Sequence, residues 1–342
     1  MRLISDMNLY LQKEKKKTAS EKEDCQNISS LCKKGRKGIN MEKKSAFVAI
    51  VGRPNVGKSS LLNYMLKQKI AIVSSKPQTT RTRIMGVLTE KDTQLVFIDT
   101  PGLHKPKNSL DKYMLRSVNE SVAGVDACML VVEAGKKITE GERVFAEKFK
   151  ALGLPAILAI NKIDTIKEKA EIAPQIAEMS ELYDFSAIVP CSAQTGDGVE
   201  DLKTELRALS AEGGFMFDED TLTDQPERVL ASEIIREKLL RLLDKEIPHG
   251  AAVFTERMKE RENAGIIDID AIIYCERQSH KGIIIGKGGS MLKKIGTYAR
   301  QDMEKFFGCK VNLKIWVKVK EDWRNRENIL RSLGYDNNDF DN

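Results

Sequence analysis

The sequence predicts an α/β domain, a mostly parallel sheet with helices on both faces, followed by a smaller α+β domain. Three observations lead there. The apolar run AFVAIV (46–51) passes through the glycine-rich stretch GRPNVGKSS (Gly52–Ser60) into SSLLNYMLKQ, whose apolar residues fall at helical spacing. Later apolar runs, TQLVFIDTPG, PAILAINKID and SAIVPCSA, each end in a short polar motif, as the buried strands of an open parallel sheet do where ligands bind. After a break rich in Gly, Pro and acidic residues at 213–227, the pattern becomes helix, strand, strand, helix, GKGG loop, helix, strand.

With 342 residues and 41% apolar content, the chain can supply a core to each domain. The formal net charge is +6, and the first 44 residues alone hold 12 Lys/Arg against 6 Asp/Glu. The remainder is neutral in sum, so the basic stretch 281–320, with 10 Lys/Arg against 2 Asp/Glu, is offset elsewhere. Residues 1–44 are polar and poor in aromatics, a composition that cannot bury enough surface to fold. They read as an unstructured basic extension, with a nucleic-acid arm as the alternative. Met41 opens MEKKSAFVAIVG, and KKGRKG upstream is encodable by a purine run of the ribosome-binding kind, so a misassigned start before Met41 is also expected. Cys25, Cys32, Cys128, Cys191, Cys275 and Cys309 include no C-x-x-C pair, as suits buried thiols of a reducing cytosol. The three histidines lack metal-ligand spacing, so no zinc site is expected. No apolar run approaches the ~20 residues of a membrane span, and a cytoplasmic location follows as the expectation.

The first loop fits a full phosphate-binding template: Gly52, then Arg53, Pro54, Asn55 and Val56, then Gly57, Lys58 and Ser59. Backbone N–H groups and the positive helix end point at one spot there. Lys58 can reach the β- and γ-phosphates, and the Ser59 hydroxyl can bind Mg2+. The next stretch, SSKPQTTRTRIMG, is polar and expected to be mobile. As a switch it must supply a threonine that closes on magnesium when a γ-phosphate is present. Thr80 is the choice and Thr79 the alternative; the bland reading is a linker before the strand pair RIMGVLTE and TQLVFIDT.

That pair ends in Asp99-Thr100-Pro101-Gly102, where Asp99 can hold magnesium through water and the Gly102 N–H can approach the γ-phosphate. Lys58, Thr80 and Gly102 are therefore the candidate catalytic residues, and Ser59, Thr80 and Asp99 the magnesium set. Leu103 follows, in contact range of the nucleotide. Next comes Asn161-Lys162-Ile163-Asp164, whose terminal carboxylate can accept from guanine N1–H and the 2-amino group, which adenine cannot supply. The amides of Cys191-Ser192-Ala193 are candidates to receive the guanine O6. In this order, each at a strand end, the motifs point to GTP.

The second domain opens with ERVLASEIIREKLLRLLD, read as a long amphipathic helix, followed by the strands GAAVFTERMKER and GIIDIDAIIYCER. Gly286-Lys287-Gly288-Gly289 then joins two helical segments, as the GXXG loop of a type II KH fold does, where small residues admit an RNA backbone. Lys287, Lys293 and Lys294 would neutralise phosphates, while Ile283, Ile284 and Ile285 would form a floor for bases. An ordinary glycine turn with solvated lysines is the alternative. The expected division is 45–215, a 216–225 linker, 226–320, and a 321–342 helix with an acidic tail.

Residues 45–342 resemble the Era family of bacterial GTPases, in the TrmE–Era class. The resemblance rests on GRPNVGKS, QTTR, DTPGLH, NKID, CSA, ASEIIREKLLRLLDKEIPH, GKGG, WVKVK and RSLGY. It implies GTP hydrolysis with Mg2+ and binding of 16S rRNA near its 3′ end. It further implies a monomer that assists 30S subunit assembly, partly at the membrane surface. The alternative is a membrane-associated regulatory GTPase coupling growth or the cell cycle to translation. Ras-like enzymes place a glutamine after D-x-x-G to orient the attacking water; Leu103 cannot do so, and slow turnover is expected. In related GTPases an asparagine at the position of Asn55 helps hold K+, with loop shaping as its other reading. His104 is assigned no catalytic role.

Overall fold

Apolar residues run unbroken from 46 to 51 along β1 (Lys44–Val51), and that run decides the layering. Ala46, Val48 and Ile50 enter one core, Ala49 and Val51 another, so the strand must be covered on both faces. The computed structural model describes residues 43–102, 106–262 and 265–335, and it sets β1 in the middle of a sheet. With β2 (Ile84–Glu90), β3 (Thr93–Asp99), β4 (Ala127–Glu133), β5 (Ala156–Asn161) and β6 (Ala187–Pro190), the order is β2-β3-β1-β4-β5-β6. Only β2 runs antiparallel to its neighbour on this path, and β7 (Ala211–Glu212) pairs antiparallel with the start of β1.

Helices α1 (Lys58–Leu66) and α5 (Val199–Ala208) close one face with Leu61, Leu62, Met65, Leu202 and Leu206. Helices α2 (Ser109–Ala123), α3 (Glu140–Leu152) and α4 (Ala173–Leu182) close the other with Val118, Val122, Phe145, Phe149 and Met179. Each such side chain contributes roughly 1.5–3 kcal/mol on burial. The faces therefore hold the sheet, and the strand ends are left for chemistry. Register aligns those ends: Ile50 pairs with Asp99, Val51 with Leu130, Glu133 with Asn161 and Ile160 with Pro190.

The C-terminal part consists of α6 (Glu227–Leu242), β8 (Ala252–Arg261), β9 (Ile266–Cys275), α7 (Gln278–Ile285), α8 (Ser290–Phe307) and β10 (Lys310–Val319). Its sheet has the order β10-β9-β8, with β9 parallel to β10 and antiparallel to β8. Ile269, Ala271 and Ile273 pack beneath Ile235, Leu239, Ile295 and Met303. After a short turn at Trp323–Asn325, α9 (Glu327–Ser332) brings Ile329 and Leu330 into a cluster with Trp323, Tyr335 and, from α2, Leu110 and Met114. No described helix is long and apolar enough to cross a membrane.

Three expectations need correction or refinement. The first concerns α6, which is not simply amphipathic: Arg236, Glu237 and Lys238 are buried, as are Ile235 and Leu239. One side of the helix meets the C-terminal core and the other meets residues 69–79. The second is a refinement of the 216–225 linker, which is laid on the first sheet. Gln94, buried in β3, holds the amides of Met216 and Phe217, and Val87 donates to the Leu222 carbonyl. The third concerns the switch stretch, which is docked: Thr80 and Arg81 are buried. Residues 1–42, Leu103, His104 and the tail 336–342 lie outside the described residues.

Candidate active site

The phosphate loop turns because glycine permits it. Gly57 takes a left-handed backbone (φ 101°) at the start of α1, and a Cβ there would stand 2.1 Å from Asn161 Nδ2. Lys58 opens α1 and is buried; its Nζ donates to the carbonyls of Gly52 and Arg53, each at 3.0 Å. Burial lowers its pKa to about 8, with the nearby Asp99 charge opposing that shift. Arg53 pairs with Glu142, at the start of α3, which fixes the outer wall of the loop. Asn55 also bridges outward, donating from Nδ2 to the Ser75 carbonyl at 2.7 Å.

Asp99, the last residue of β3, collects the magnesium candidates. Its Oδ2 accepts from Ser59 Oγ at 2.6 Å and from Thr80 Oγ1 at 3.3 Å, and the two hydroxyls are 3.0 Å apart. Burial pushes the Asp99 pKa up, against the pull of Lys58, Ser59 and Thr80. Its other oxygen, Oδ1, is buried and lacks a hydrogen-bond partner. An orphaned carboxylate oxygen beside two hydroxyls is a hard-oxygen donor set that fits Mg2+ shared with phosphate oxygens. Among the described residues no group of three or more His, Cys, Asp or Glu could hold a metal unaided. Thr100 has a framework role, donating from Oγ1 to the Ile50 carbonyl at 2.8 Å. Buried Pro101 leads to Gly102, which packs so close to the loop that a Cβ would meet Pro54 N at 2.6 Å. A cleft of about 620 Å³ runs between the loop and the switch stretch, lined by Asn55, Lys58, Ser59, Thr80, Gly102 and Lys162 among others.

The base-side motifs are knitted together by Asn161. It is buried, donates from Nδ2 to the Val56 carbonyl at 2.7 Å, and accepts from the Ala193 amide at 3.0 Å. Lys162 (φ 69°) pairs with Glu133 at 2.8 Å, and Ile163 donates its amide to the Cys191 carbonyl. Asp164 is oriented by Ser192, whose Oγ donates to Oδ1 at 2.5 Å. The expectation for the three amides of 191–193 needs correction. That of Cys191 continues the strand ladder to the Ile160 carbonyl, and that of Ser192 bonds the Asp197 carbonyl. The amide of Ala193 is taken as well, by Asn161 Oδ1. The Cys191 thiol is buried, which pushes its pKa up to about 12, so the residue is wall rather than reactive group.

Known proteins share this arrangement. A family described as 50S ribosome-binding GTPase matches residues 47–162, and the KH domain family matches 246–324. GTPase Era of Alkaliphilus metalliredigens is 50% identical over 297 residues, covering 86% of this chain and all of that protein. The chain belongs to the Era family of GTPases. GTPase Era of Clostridioides difficile is 49% identical over 296 residues, covering 85% of this chain and 98% of that one. Among solved structures, an Aquifex aeolicus Era variant bound to GDP and AlF4− gives a TM-score of 0.82 at 39% identity, covering 85% and 99% of the two chains. Era in complex with MgGDPNP and nucleotides 1506–1542 of 16S ribosomal RNA gives the same TM-score and identity, covering 86% and 99%. Like its Era relatives, this chain is a GTPase: a P-loop G domain followed by a KH domain.

In this Era-family KH domain, Gly286, Gly288 and Gly289 all have positive φ (74°, 58° and 79°), turning the chain between α7 and α8. Lys287, Lys293 and Lys294 are exposed around the turn, with Lys294 Nζ 5.9 Å from the Tyr298 ring centre. Successive helical residues diverge by about 100°, so the three isoleucines cannot share one floor. Ile284 is fully buried in the core, Ile285 half-buried and Ile283 exposed. Sequence reasoning missed Arg81, Arg236 and Glu237. The available signal was charged residues inside otherwise apolar ASEIIREKLL, together with the arginine of QTTR.

Proposed function

We propose that this GTPase hydrolyses GTP slowly with Mg2+, binds 16S rRNA near its 3′ end through the GXXG turn, and assists 30S assembly as a cytoplasmic monomer. The observation that carries the reading is that one polypeptide unit holds both the Ser59–Thr80–Asp99 cluster and the Gly286–Gly289 turn ringed by lysines. Lys58 binds the β- and γ-phosphates, and the Gly102 N–H meets the γ-phosphate. Ser59, Thr80 and Asp99 would hold magnesium, which when bound neutralises charge developing on the transferred phosphoryl group. Asp164 reads guanine, while Asn161, bonded to the Val56 carbonyl and the Ala193 amide, keeps loop and base pocket in register. With Leu103 after Gly102, the chain lacks a glutamine there to orient water, which supports slow unaided turnover. The Asn55 amide nitrogen is committed to Ser75; its oxygen is the atom that would hold K+. A rate unchanged when sodium is replaced by potassium would remove that role.

The description naming the 50S particle belongs to a match confined to 47–162, within the G domain. The relative bound to 16S rRNA matches over both domains at 39% identity, which favours the small subunit. Fluorescence anisotropy with an oligonucleotide of the 16S 3′ end tests the reading. Changing Lys287 and Gly288 together to Asp sets two carboxylates against the RNA backbone, so affinity should fall about tenfold or more with GTP binding intact. Undiminished RNA affinity would overturn the assignment. Binding to anionic vesicles that survives saturating RNA would favour the membrane role instead.

A further inference from the structure

Thr80 is gripped from both sides by buried arginines, and each grip crosses between the G domain and the C-terminal part. On one side, Arg236 of α6 donates to the Thr79 carbonyl and, at 3.4 Å, to that of Gln78. Glu233 aims that guanidinium with bonds of 2.8 and 2.6 Å. On the other side, Arg81 reaches out of the switch stretch and donates to the His249 and Ala251 carbonyls, both at 2.7 Å. Trp323 stands 5.7 Å beneath the Arg81 guanidinium and donates to the Gly250 carbonyl between those two acceptors. Exposure is 1% for Arg81 and 0% for Arg236.

Merely docking a linker does not require this. Burying a guanidinium costs several kcal/mol unless its donors are satisfied, and apolar residues of similar size would hold two surfaces together as well. What the arginines add is direction: a planar fork fixes carbonyl oxygens in place. The carbonyls fixed here belong to the residues just before Thr80, and the side chain anchored is that of the residue just after it. Between these two anchor points the Thr80 hydroxyl rests 3.0 Å from Ser59 Oγ.

We propose that Arg81 and Arg236 are positioning residues for GTP hydrolysis, clamping the backbone on either side of Thr80 so that its hydroxyl is held at the magnesium position. This rests on the assignment of Thr80 to magnesium made above. GDP has no γ-phosphate to draw the switch in, so it relies on the phosphate loop and guanine pocket and not on the clamp. The clamp's effect is therefore confined to the triphosphate state and to magnesium.

The test uses the full chain carrying Arg236→Gln, Arg236→Lys, Arg81→Lys or Glu233→Gln, with Thr80→Ala as reference. Release of a fluorescent non-hydrolysable GTP analogue and of fluorescent GDP is followed by stopped flow, and single-turnover hydrolysis is measured across Mg2+ concentrations. Arg236→Gln should release the analogue about tenfold faster, the effect of one lost charge-assisted bond. It should also raise the Mg2+ needed for half-maximal turnover and leave GDP release within about twofold. Arg236→Lys and Glu233→Gln keep charge or side chain and should fall between. In the Thr80→Ala background the Arg236 change should add little, since the two act through one contact. Equal acceleration of analogue and GDP would mean general loosening and would overturn the proposal. An unchanged Arg236→Gln beside an altered Thr80→Ala would overturn the clamp alone. Unaltered Mg2+ dependence in Thr80→Ala would overturn the magnesium assignment and the clamp with it.

Discussion

Gly102→Ala is the sharpest test of the triphosphate-sensing role proposed for Gly102. The added Cβ would stand 2.6 Å from Pro54 N, 2.7 Å from its Cα and 2.8 Å from its Cγ. Two of these are backbone atoms and the third belongs to a rigid ring, so no rotamer change relieves the overlap. Reaching an ordinary contact of about 3.4 Å requires the 99–102 segment to retreat by roughly 0.6–0.8 Å, at a cost of about 1–3 kcal/mol for overpacking. An N–H···O bond of ~2.9 Å from Gly102 to the γ-phosphate would then stretch to ~3.5 Å or more, beyond useful length. A bond to a charged acceptor contributes about 1.5–3 kcal/mol, so the preference for a GTP analogue over GDP should fall roughly ten- to 150-fold. Isothermal titration calorimetry of both nucleotides at saturating Mg2+ gives that ratio directly. A ratio within twofold of the parent protein would refute the sensor role, and a matched loss of both nucleotides would show only that the phosphate loop had been displaced.

Asp164→Asn should weaken GTP binding and move preference toward xanthine nucleotides, because an amide presents a donor where guanine needs an acceptor; unchanged GTP affinity in nucleotide competition would sink the guanine assignment. Trp323→Ala removes a fully buried ring that stacks 6.2 Å from Tyr335 and caps Arg81. It should cost about 3–5 kcal/mol in denaturant unfolding, with Trp323→Phe milder, and a surface-like loss under about 0.5 kcal/mol would contradict the packing. Burial lowers the His249 pKa below 6.5, with Arg81, Lys76 and Arg324 adding to the shift and Glu246 opposing it. The fold therefore favours neutral imidazole: this stability is present above the unfolded pKa of about 6.5 and lost as pH falls through the lower folded one. His249→Gln should flatten that slope in chemical denaturation, and an identical slope would remove the contribution. Finally, 16S 3′-end RNA should bind severalfold tighter beside a GTP analogue than beside GDP, and should tighten the analogue equally, a coupling of typically ~1–3 kcal/mol. Equal affinities in the two states would mean domains that are merely tethered.

The nucleotide site was legible because its chemistry is local. Gly52, Gly57, Lys58 and Ser59 sit within one turn, and the Asp99 and Asp164 motifs close strands whose apolar runs announce them. The switch clamp was not legible, although both halves were in view. Arg81 meets carbonyls 168 and 170 residues away, and Arg236 meets one 157 residues away. No periodicity encodes such a partner. Ile284 was misplaced for a simpler reason: three consecutive helical residues point three ways, and only packing tells which one enters the core. The amides of Cys191, Ser192 and Ala193 looked available because sequence shows a loop's donors but not the acceptors that already take them.

The contacts between the two parts also explain why a ligand at one could be felt at the other. Apolar packing across the boundary includes the cluster of Trp323, Ile329, Leu330 and Tyr335 against Leu110 and Met114, and Phe306 of α8 against the first core of the G domain. Polar contacts join them: Lys69 and the Val73 amide on Glu237, Lys76 on the Leu243 carbonyl, and the two arginine grips among others. Burial pushes the Glu237 pKa up, yet Lys238 and Lys69 outweigh it and hold the carboxyl below its usual range, so it is charged when docked. Polar interfaces of this kind permit relative motion more readily than continuous apolar ones. Each bond has water as an alternative partner, so separation costs little per contact while the docked geometry is still dictated donor by donor. Five of these contacts fall on residues 69–81, the segment that ends beside Thr80. If Arg236 clamps Thr80 as proposed, a γ-phosphate that fixes Thr80 also fixes the surface α6 packs against, and a partner that moves α6 acts on Thr80 through Arg236.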